Sequence, residues 1–172
     1  MAVREATPAD AEAVAAVHVR SWQAAYRDLL PAAFLEALEI SPRRSLWERE
    51  IAGSDGSVPA VLVAETSSVV VGFAHVRASR DDDADAAAIG EVTSLYVDPG
   101  HWSEGVGRAL LAAAVSRLRE AGFGQATLWV LQDNARARRF YDAAGWRPDG
   151  AEKDAVVADV PVRELRYRLP PR

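Results

Sequence analysis

The stretch Glu91–Leu111 reads EVTSLYVDPGHWSEGVGRALL, and its pattern decides how the rest of the chain is interpreted. It begins as a predicted strand, because Val92 and Tyr96 are of the β-branched and aromatic types that favour strands. Asp98-Pro99-Gly100 ends the strand, since proline donates no backbone hydrogen bond and glycine adopts turn conformations easily. From residue 104 to residue 120 alanine, leucine and arginine dominate, and this composition predicts a helix.

A strand, a glycine-containing turn and a helix together predict a binding site for an anion. The first amides of a helix have no acceptor within the helix, and the helix dipole adds partial positive charge there. Gly105 and Gly107 lack side chains that would keep a phosphate away from these amides. We therefore predict a phosphate-bearing ligand at Ser103–Arg108, with a ligand-free, glycine-softened helix start as the alternative. A Walker loop needs a lysine here, and a dinucleotide fingerprint needs glycine at Leu110, so neither motif fits.

The same residues resemble motif A of the GNAT family of N-acetyltransferases, in the segments Leu95-Tyr96-Val97 and Trp102-Ser103-Glu104-Gly105-Val106-Gly107. In that family the motif reads Gln/Arg-x-x-Gly-x-Gly/Ala and binds the pyrophosphate of coenzyme A. Trp102 stands where the family usually has glutamine or arginine, and Ser103 where glycine is frequent. The resemblance implies that these two segments, together with Arg108, bind acetyl-CoA.

A second set of residues resembles motif B of the same family, L-x-V-x-x-x-N-x-x-A-x-x-x-Y-x-x-x-G-F/W, and fills every position of it: Leu128, Val130, Asn134, Ala137, Tyr141, Gly145 and Trp146. Asn134 and Tyr141 fall on one helix stripe about 10 Å apart, so a single ligand could contact both. The resemblance implies that Asn134 binds the pantetheine arm and that Tyr141 protonates the leaving thiolate. A phenol with a pKa near 10 suits this role. The alternatives are a helix N-cap for Asn134 and a core aromatic for Tyr141.

Three arginines lie in the first turns of the motif B helix, where positive charge opposes the helix dipole: Arg136, Arg138 and Arg139. This placement indicates a nearby anion, for which a phosphate of coenzyme A is the obvious candidate. A solvated basic face is the alternative. We include Arg136 and Arg139 among the predicted coenzyme A contacts.

The chemistry predicted from the sequence is direct attack of an amine on a thioester. Without cysteine and without a Gly-x-Ser-x-Gly motif, the chain offers no obvious covalent nucleophile. Glu91 resembles the general base of many family members, with a solvent-facing strand residue as the alternative, and a backbone amide near Val97 is expected to bind the oxyanion. Trp22 and Tyr26 share a helix face with His18, where the family builds its acceptor pocket. A core-facing stripe is the other interpretation of that face.

Two further functions compete with the acetyltransferase prediction. One is a non-catalytic module of the same fold that senses acyl-CoA, although such a module would not need a base and an acid such as Glu91 and Tyr141. The other is an unrelated enzyme with a phosphate-bearing ligand. The acceptor is expected to be a small-molecule or peptide amine, its identity stays open, and a homodimer is possible.

Composition and charge argue for a single domain and against several other classes of protein. The chain has 172 residues, of which 49% are hydrophobic and 26% charged, so we predict one domain over residues 1–172. The net charge of −5 argues against a nucleic-acid partner. The three histidines lack metal-ligand spacing, so no metal is expected. No signal peptide or membrane-spanning run is visible, and a cytoplasmic protein with no membrane partner is expected.

The chain order predicts an α/β (α+β) fold. Strands are expected at residues 2–5, 60–64, 69–76, 91–97, 125–131, 146–148 and 162–169, and helices at 7–26, 32–38, 42–52, 104–120 and 134–144. Residues 80–88 and 150–159 are predicted to be polar loops, the first of them mobile and solvated. The family resemblance implies a single mixed, mostly antiparallel central sheet of about seven strands with helices on both faces.

Overall fold

The computed structural model describes residues 1–54 and 56–170, which form one sheet flanked by helices. The strands of that sheet are β1 (Ala2–Glu5), β2 (Ala60–Thr66), β3 (Val69–Ala78), β4 (Ile89–Val97), β5 (Gln125–Leu131), β6 (Arg147–Val157) and β7 (Val160–Leu169). The helices are α1 (Ala11–Ala25), α2 (Ala32–Glu36), α3 (Ile40–Ala52), α4 (Val106–Glu120) and α5 (Ala135–Ala143). Single 3-10 turns occupy Pro8–Asp10 and Pro99–His101.

The seven strands lie in the order β1-β2-β3-β4-β5-β7-β6. Neighbouring strands are antiparallel except for β4 and β5, which are parallel. A parallel pair needs a crossover connection, and α4 provides it by running from the end of β4 back to the start of β5. The predicted mixed, mostly antiparallel sheet is therefore confirmed.

Two hydrophobic cores hold helices against opposite faces of the sheet. On one face α1 and α3 bury side chains such as Val14, Val17 and Trp47 against Phe73. On the other face α4 buries Leu110, Leu111, Ala114, Val115 and Leu118, which recur at three- and four-residue intervals and so form one stripe. The prediction of helices on both faces is confirmed.

Two glycines in the strands let α4 lie close to the sheet. A Cβ atom at Gly90 would come within 2.5 Å of Leu118 Cδ2, and one at Gly72 within 2.9 Å of Leu110 Cδ1. Both distances are shorter than van der Waals contact, so a larger residue at either position would push the helix outward. Because α4 begins beside the end of β4, this close packing also fixes where the first turn of the helix lies.

The region predicted as a polar loop at residues 150–159 is mostly strand, and that prediction was wrong. β6 runs to Val157 and pairs with β7, with an irregular register between Pro148 and Glu152. Its polar side chains are explained by its place at the edge of the sheet, where cross-strand ion pairs replace apolar contacts. Lys153 lies 3.2 Å from Glu164. The predicted strand at residues 146–148 is only the beginning of β6.

Within residues 1–54 and 56–170, no helix combines the length and apolar character needed to cross a bilayer. Over the same residues, acidic and histidine side chains do not gather in groups of three that could hold a metal ion.

Two histidines are buried between the sheet and the helices α1 and α3. His18 Nδ1 accepts a hydrogen bond from the Trp47 indole at 3.1 Å, and His75 Nδ1 lies 2.7 Å from Thr93 Oγ1. Burial lowers the pKa of each histidine to about 4; Arg43 adds to the effect at His18. Both imidazoles are therefore neutral in the folded protein near neutral pH.

These pKa values predict that acid destabilises the fold well before the carboxylates titrate. Above the unfolded-state histidine pKa of about 6.5, both states hold neutral imidazoles and stability is complete. As the pH falls from there toward 4, only the unfolded state takes up protons, which costs on the order of 3 kcal/mol per histidine. Urea unfolding at pH 7.5, 6.0 and 5.0 measures this loss.

A matched pair of histidine variants tests whether the buried histidines cause this loss of stability. His75→Gln should remove about half of the pH slope, whereas His101→Gln, at a half-exposed position outside the core, should change the slope much less. An unfolding free energy that stays constant between pH 7.5 and 5.0 would contradict the prediction.

Candidate active site

The two central strands of the sheet pair only at their beginnings. β4 pairs with β5 from Ile89 to Glu91, opposite residues 125 to 127, while β4 continues to Val97 and β5 to Leu131. Beyond the paired stretch a cavity of about 780 Å³ opens between the strands. The adjacent segment of β4 contains a bulge at Thr93, because His75 and Val76 of β3 pair with Ser94 and Val92. Such a bulge bends a strand and raises its twist.

The open edge of β4 presents backbone groups to this cavity. The Asp98 amide donates a hydrogen bond to the Val71 carbonyl of the neighbouring strand β3 at 2.8 Å. The amide of the residue that follows β4 therefore points toward β3. Amides alternate in direction along a strand, so those of Leu95 and Val97 point away from β3 and toward the gap. The predicted oxyanion donor at Val97 therefore has the required direction.

The loop after β4 adds a second group of free amides. Gly105 caps α4 in the left-handed conformation, with φ of 84°, and Ser103 has φ of 69°. The first helical hydrogen bond runs from the Ala109 amide to the Gly105 carbonyl at 3.1 Å. Within the described residues, the backbone amides from Ser103 to Arg108 have no acceptor. They form a concentration of partial positive charge at the mouth of the cavity.

Trp102 contributes to this region in a way that differs from the glutamine or arginine of the family motif. Its indole donates to the Val97 carbonyl at 2.8 Å, and the Arg136 guanidinium lies 3.6 Å from the centre of its ring. Burial, followed by the charge of Arg139, lowers the pKa of Arg136. Within the described part of the chain Arg136 and Arg108 have no ion pair, so their charges are available beside the free amides.

The two residues of the second motif that were assigned to chemistry both line the cavity. Asn134 caps α5, because its Oδ1 accepts from the Ala137 amide at 3.0 Å, and its amide nitrogen stays free to donate. The Tyr141 ring packs near Trp146 and Tyr167 in the core. Its hydroxyl has no hydrogen bond to any other described residue, and burial, with a smaller effect of Tyr96, raises its pKa.

Glu91 lies on the opposite side of the sheet from α4. Its neighbour Gly90 faces Leu118 of that helix, so alternation along the strand directs Glu91 toward the α1 side of the cavity. The residue is only 8% exposed and forms no ion pair within residues 1–54 and 56–170, and the backbone amide of Arg80 is close enough to bind its carboxylate. Burial raises its pKa, and Arg77 partly opposes that shift. A buried, unpaired carboxylate with a raised pKa is suited to accept a proton.

The aromatic stripe on α1 is divided between the core and the cavity. His18 is buried and stacks on Tyr96 with ring centres 5.2 Å apart, whereas Trp22 and Tyr26 line the cavity. Next to Trp22, Ser21 donates through its hydroxyl to the Val97 carbonyl at 2.9 Å. The α1 helix is thereby joined to the end of β4.

Most of the predicted contact residues line the cavity, but three do not. Glu104 forms an ion pair with His101 at 2.9 Å, the Val106 side chain is buried in the core, and Arg139 lies outside the lining. The predicted residues that do line it on the coenzyme side are Leu95, Tyr96, Val97, Trp102, Ser103, Gly105, Gly107, Arg108, Asn134 and Arg136.

The lining residues that the sequence did not predict include Arg77, Trp129, Lys153 and Glu164. Trp129 occupies an unspecified position of the second motif, and Lys153 lies on the strand predicted as a loop. In the structure the Lys153 ammonium lies 4.1 Å from the Trp129 ring centre and 3.2 Å from Glu164. The hairpin β6–β7 is thus a wall of the cavity, which no local pattern indicated.

The loop predicted to be mobile and solvated at residues 80–88 is anchored at its start. Asp81 accepts from the Trp129 indole at 3.0 Å and from Arg166 at 3.1 Å. The buried Arg166 guanidinium also contacts Asp83 at 2.6 Å and Asp149 at 2.8 Å. The loop is therefore fastened to the hairpin wall through one arginine, while the Asp83 side chain stays 63% exposed, as expected of a solvated loop; the mobility of the loop stays a prediction.

A family model, sequence relatives and solved structures that resemble this chain are all described as acetyltransferases. The model of the acetyltransferase (GNAT) family matches residues 21–146. An uncharacterised N-acetyltransferase, YuaI, of Bacillus subtilis is 30% identical over 98% of this chain and 92% of its own length. An aminoglycoside N(6')-acetyltransferase of Stenotrophomonas maltophilia is 31% identical over 84% of each chain. The crystal structure of a Thermoplasma acidophilum PaiA N-acetyltransferase in complex with coenzyme A superposes with a TM-score of 0.78, at 20% identity, covering 97% of this chain and 96% of that one.

The arginine that anchors the acidic loop should be important for stability. Arg166→Met leaves the partly buried Asp81 without its cation and Asp149 with Arg168 alone, and we expect a loss of on the order of 3 kcal/mol in unfolding free energy. Arg163→Met on the same strand removes only exposed ion pairs with Asp154 and Glu152, and should cost less than about 1 kcal/mol. Urea unfolding compares the two variants, and equal losses would show that burial of the Arg166 pairs adds nothing.

Proposed function

The chain belongs to the acetyltransferase (GNAT) family, and we propose that it transfers an acetyl group from acetyl-CoA to an amine by direct attack within a ternary complex. One observation carries the proposal. The cavity between β4 and β5 joins a row of free amides, an unpaired strand edge, a buried carboxylate and an unbonded phenol, all open to the same space. Acetyl transfer from acetyl-CoA to an amine needs these groups together: amides for the phosphates of the coenzyme, a carboxylate for the proton of the amine and a phenol for the departing sulfur.

The residues of the cavity fit coenzyme A on two independent grounds. The free amides of Ser103–Arg108, with Arg108 and Arg136 beside them, suit a pyrophosphate, which needs several donors and positive charge at one place. The outward amides of β4 and the free amide nitrogen of Asn134 suit the peptide-like groups of the pantetheine arm. When bound, acetyl-CoA supplies an activated acetyl thioester.

Three groups of the chain transfer protons or stabilise charge during the reaction. Glu91 removes a proton from the amine, directly or through water, since its carboxylate is unpaired and buried. The Val97 amide stabilises negative charge that develops on the acetyl oxygen. Tyr141 donates its proton to the departing sulfur, because its raised pKa keeps the hydroxyl protonated until charge develops there.

The acceptor is proposed only as an amine. The Stenotrophomonas relative is named for an aminoglycoside. A first panel of acceptors therefore includes aminoglycosides, polyamines, free amino acids, peptide N-termini and lysine side chains. Release of the coenzyme A thiol reports transfer to any member of the panel, whichever amine reacts.

The Tyr141→Phe variant tests the proposal at the leaving group. Removing the hydroxyl deletes the proton donor and keeps the ring that packs near Trp146, so we expect turnover to fall about 100-fold or more while coenzyme A affinity is unchanged. Thiol release gives turnover, and calorimetry gives affinity.

Tyr167→Phe is the matched control, because that hydroxyl contacts Arg138 and does not line the cavity. Its turnover should stay near the wild-type value. If Tyr141→Phe turned over several amines at the normal rate, the acid role would be disproved. If the wild-type protein bound acetyl-CoA and acetylated no amine, the chain would be a sensor of acyl-CoA instead.

The pH dependence tests the proposed base. Glu91 acts when ionised, so kcat/KM should rise with pH through an apparent pKa above the ordinary glutamate range, the direction given by burial. Glu91→Gln should lower kcat/KM about 100-fold at pH 7 and remove this acidic limb. Glu120→Gln, at an exposed position at the far end of α4 and outside the cavity lining, should retain both rate and pH profile. An unchanged profile in Glu91→Gln would assign the limb to another group.

A further inference from the structure

An arginine without a partner faces the proposed base across the acceptor side of the cavity. Arg77 of β3 lies directly opposite Glu91 of β4 in the antiparallel register, so the two side chains project from the same face of the sheet. Both residues line the cavity. The same face carries the acceptor-side aromatic residues of α1, whereas the free amides of the coenzyme site lie at the far end of β4.

The Arg77 guanidinium has unused hydrogen-bonding capacity. Its Nε is buried without a hydrogen-bond partner, and within residues 1–54 and 56–170 the guanidinium forms neither a hydrogen bond nor an ion pair. An arginine has five N–H donors, and a buried donor that stays unsatisfied costs free energy. An acceptor group that enters the cavity could therefore bind these donors without displacing a partner from the protein.

The carboxylates around Arg77 are either committed to other partners or separated from it. Asp81 is bound by Trp129 and Arg166, and Glu164 is paired with Lys153. Glu91 lies opposite Arg77, yet the two do not form an ion pair, and among the described residues Glu91 is paired with no other cation, its one polar contact being the backbone amide of Arg80. The acceptor side therefore presents one free cation and one free anion from adjacent strands.

We propose that the acceptor is a zwitterion, in which Arg77 binds an anionic group, such as a carboxylate, that lies a few bonds from the reacting amine. The inference rests on the proposed acetyltransferase function. The two side chains start from opposed residues of neighbouring strands, with Cα atoms about 4.5–5.5 Å apart, so both can reach one small ligand that carries its amine and its anion close together, as in an α-amino acid. A planar guanidinium with all donors free can bind a carboxylate through two parallel hydrogen bonds.

Paired substrates test the proposal. The common L-amino acids are assayed as free acids and as primary amides, which have the same amine and differ in the anionic group. We expect at least one acid to exceed its amide about 100-fold in kcat/KM, because a site built to pair a charge discriminates strongly against a ligand that lacks it. Calorimetry with the same acids, in the presence of coenzyme A, measures binding without requiring turnover.

Variants at position 77 test whether Arg77 causes the preference for an acid over its amide. Arg77→Met should raise KM for the preferred acid about 10- to 100-fold and change its amide less than about threefold, while Arg77→Lys recovers part of the loss. Arg80→Met removes an exposed arginine nearby and should change neither substrate. Equal losses for acid and amide in Arg77→Met would overturn the proposal, since Arg77 would then only influence Glu91.

The remaining outcomes separate this proposal from the proposed function. Acetyl transfer to amines with no preference for any acid over its amide, or a preference for a polycationic aminoglycoside, would leave the acetyltransferase function standing and reject the zwitterion. Binding of an acid that depends on Arg77, without transfer to any amine, would support the anion site and reject the enzyme. If no acid bound and none reacted, the proposal would be wrong.

Discussion

The separation of β4 from β5 after Glu91 is the constraint on which the rest of the site depends. Strands in the middle of a sheet normally satisfy each other's backbone groups, and those left unpaired must find partners elsewhere. Here β3 holds the outer edge of β4 and β7 holds the outer edge of β5, so both strands stay fixed while a gap opens between them. The gap is stable because its walls are paired on their outer sides. It is also a surface of unsatisfied amides, which a ligand with acceptor groups along its length can use.

The cavity has opposite electrostatic character at its two ends. At the end of β4 it has the first turn of α4, Arg108 and Arg136, and the local charge is positive. Around Glu91 the carboxylates and cations are balanced, with Lys153 and Glu164 paired and Arg77 left free. The net charge of −5 describes neither end. Net charge reports solubility and long-range attraction, whereas recognition depends on which charges are unpaired.

The sequence was most informative where function and local structure use the same residues. Gly105 and Asn134 are both helix caps and candidate ligand contacts, so one local pattern predicted helix boundaries and site together. β6 was missed because a polar edge strand is held by cross-strand charges and has no apolar alternation for a periodicity argument to detect. The anchoring of the acidic loop joins Asp83 to Arg166, and no local pattern connects positions so distant in sequence. Arg77 was missed for a related reason, since a single arginine near a strand end is distinctive only when its surroundings are known.

One backbone oxygen connects the parts of the protein that face the two substrates. The Val97 carbonyl accepts from Ser21 on α1 and from Trp102 in the loop before α4. Losing either donor leaves the carbonyl with a single side-chain partner, so α1 and the loop are held to the same point at the end of β4. A displacement of α1 at that point bears directly on the oxygen that also positions Trp102. The helix on the acceptor side and the loop on the coenzyme side therefore share one anchoring point.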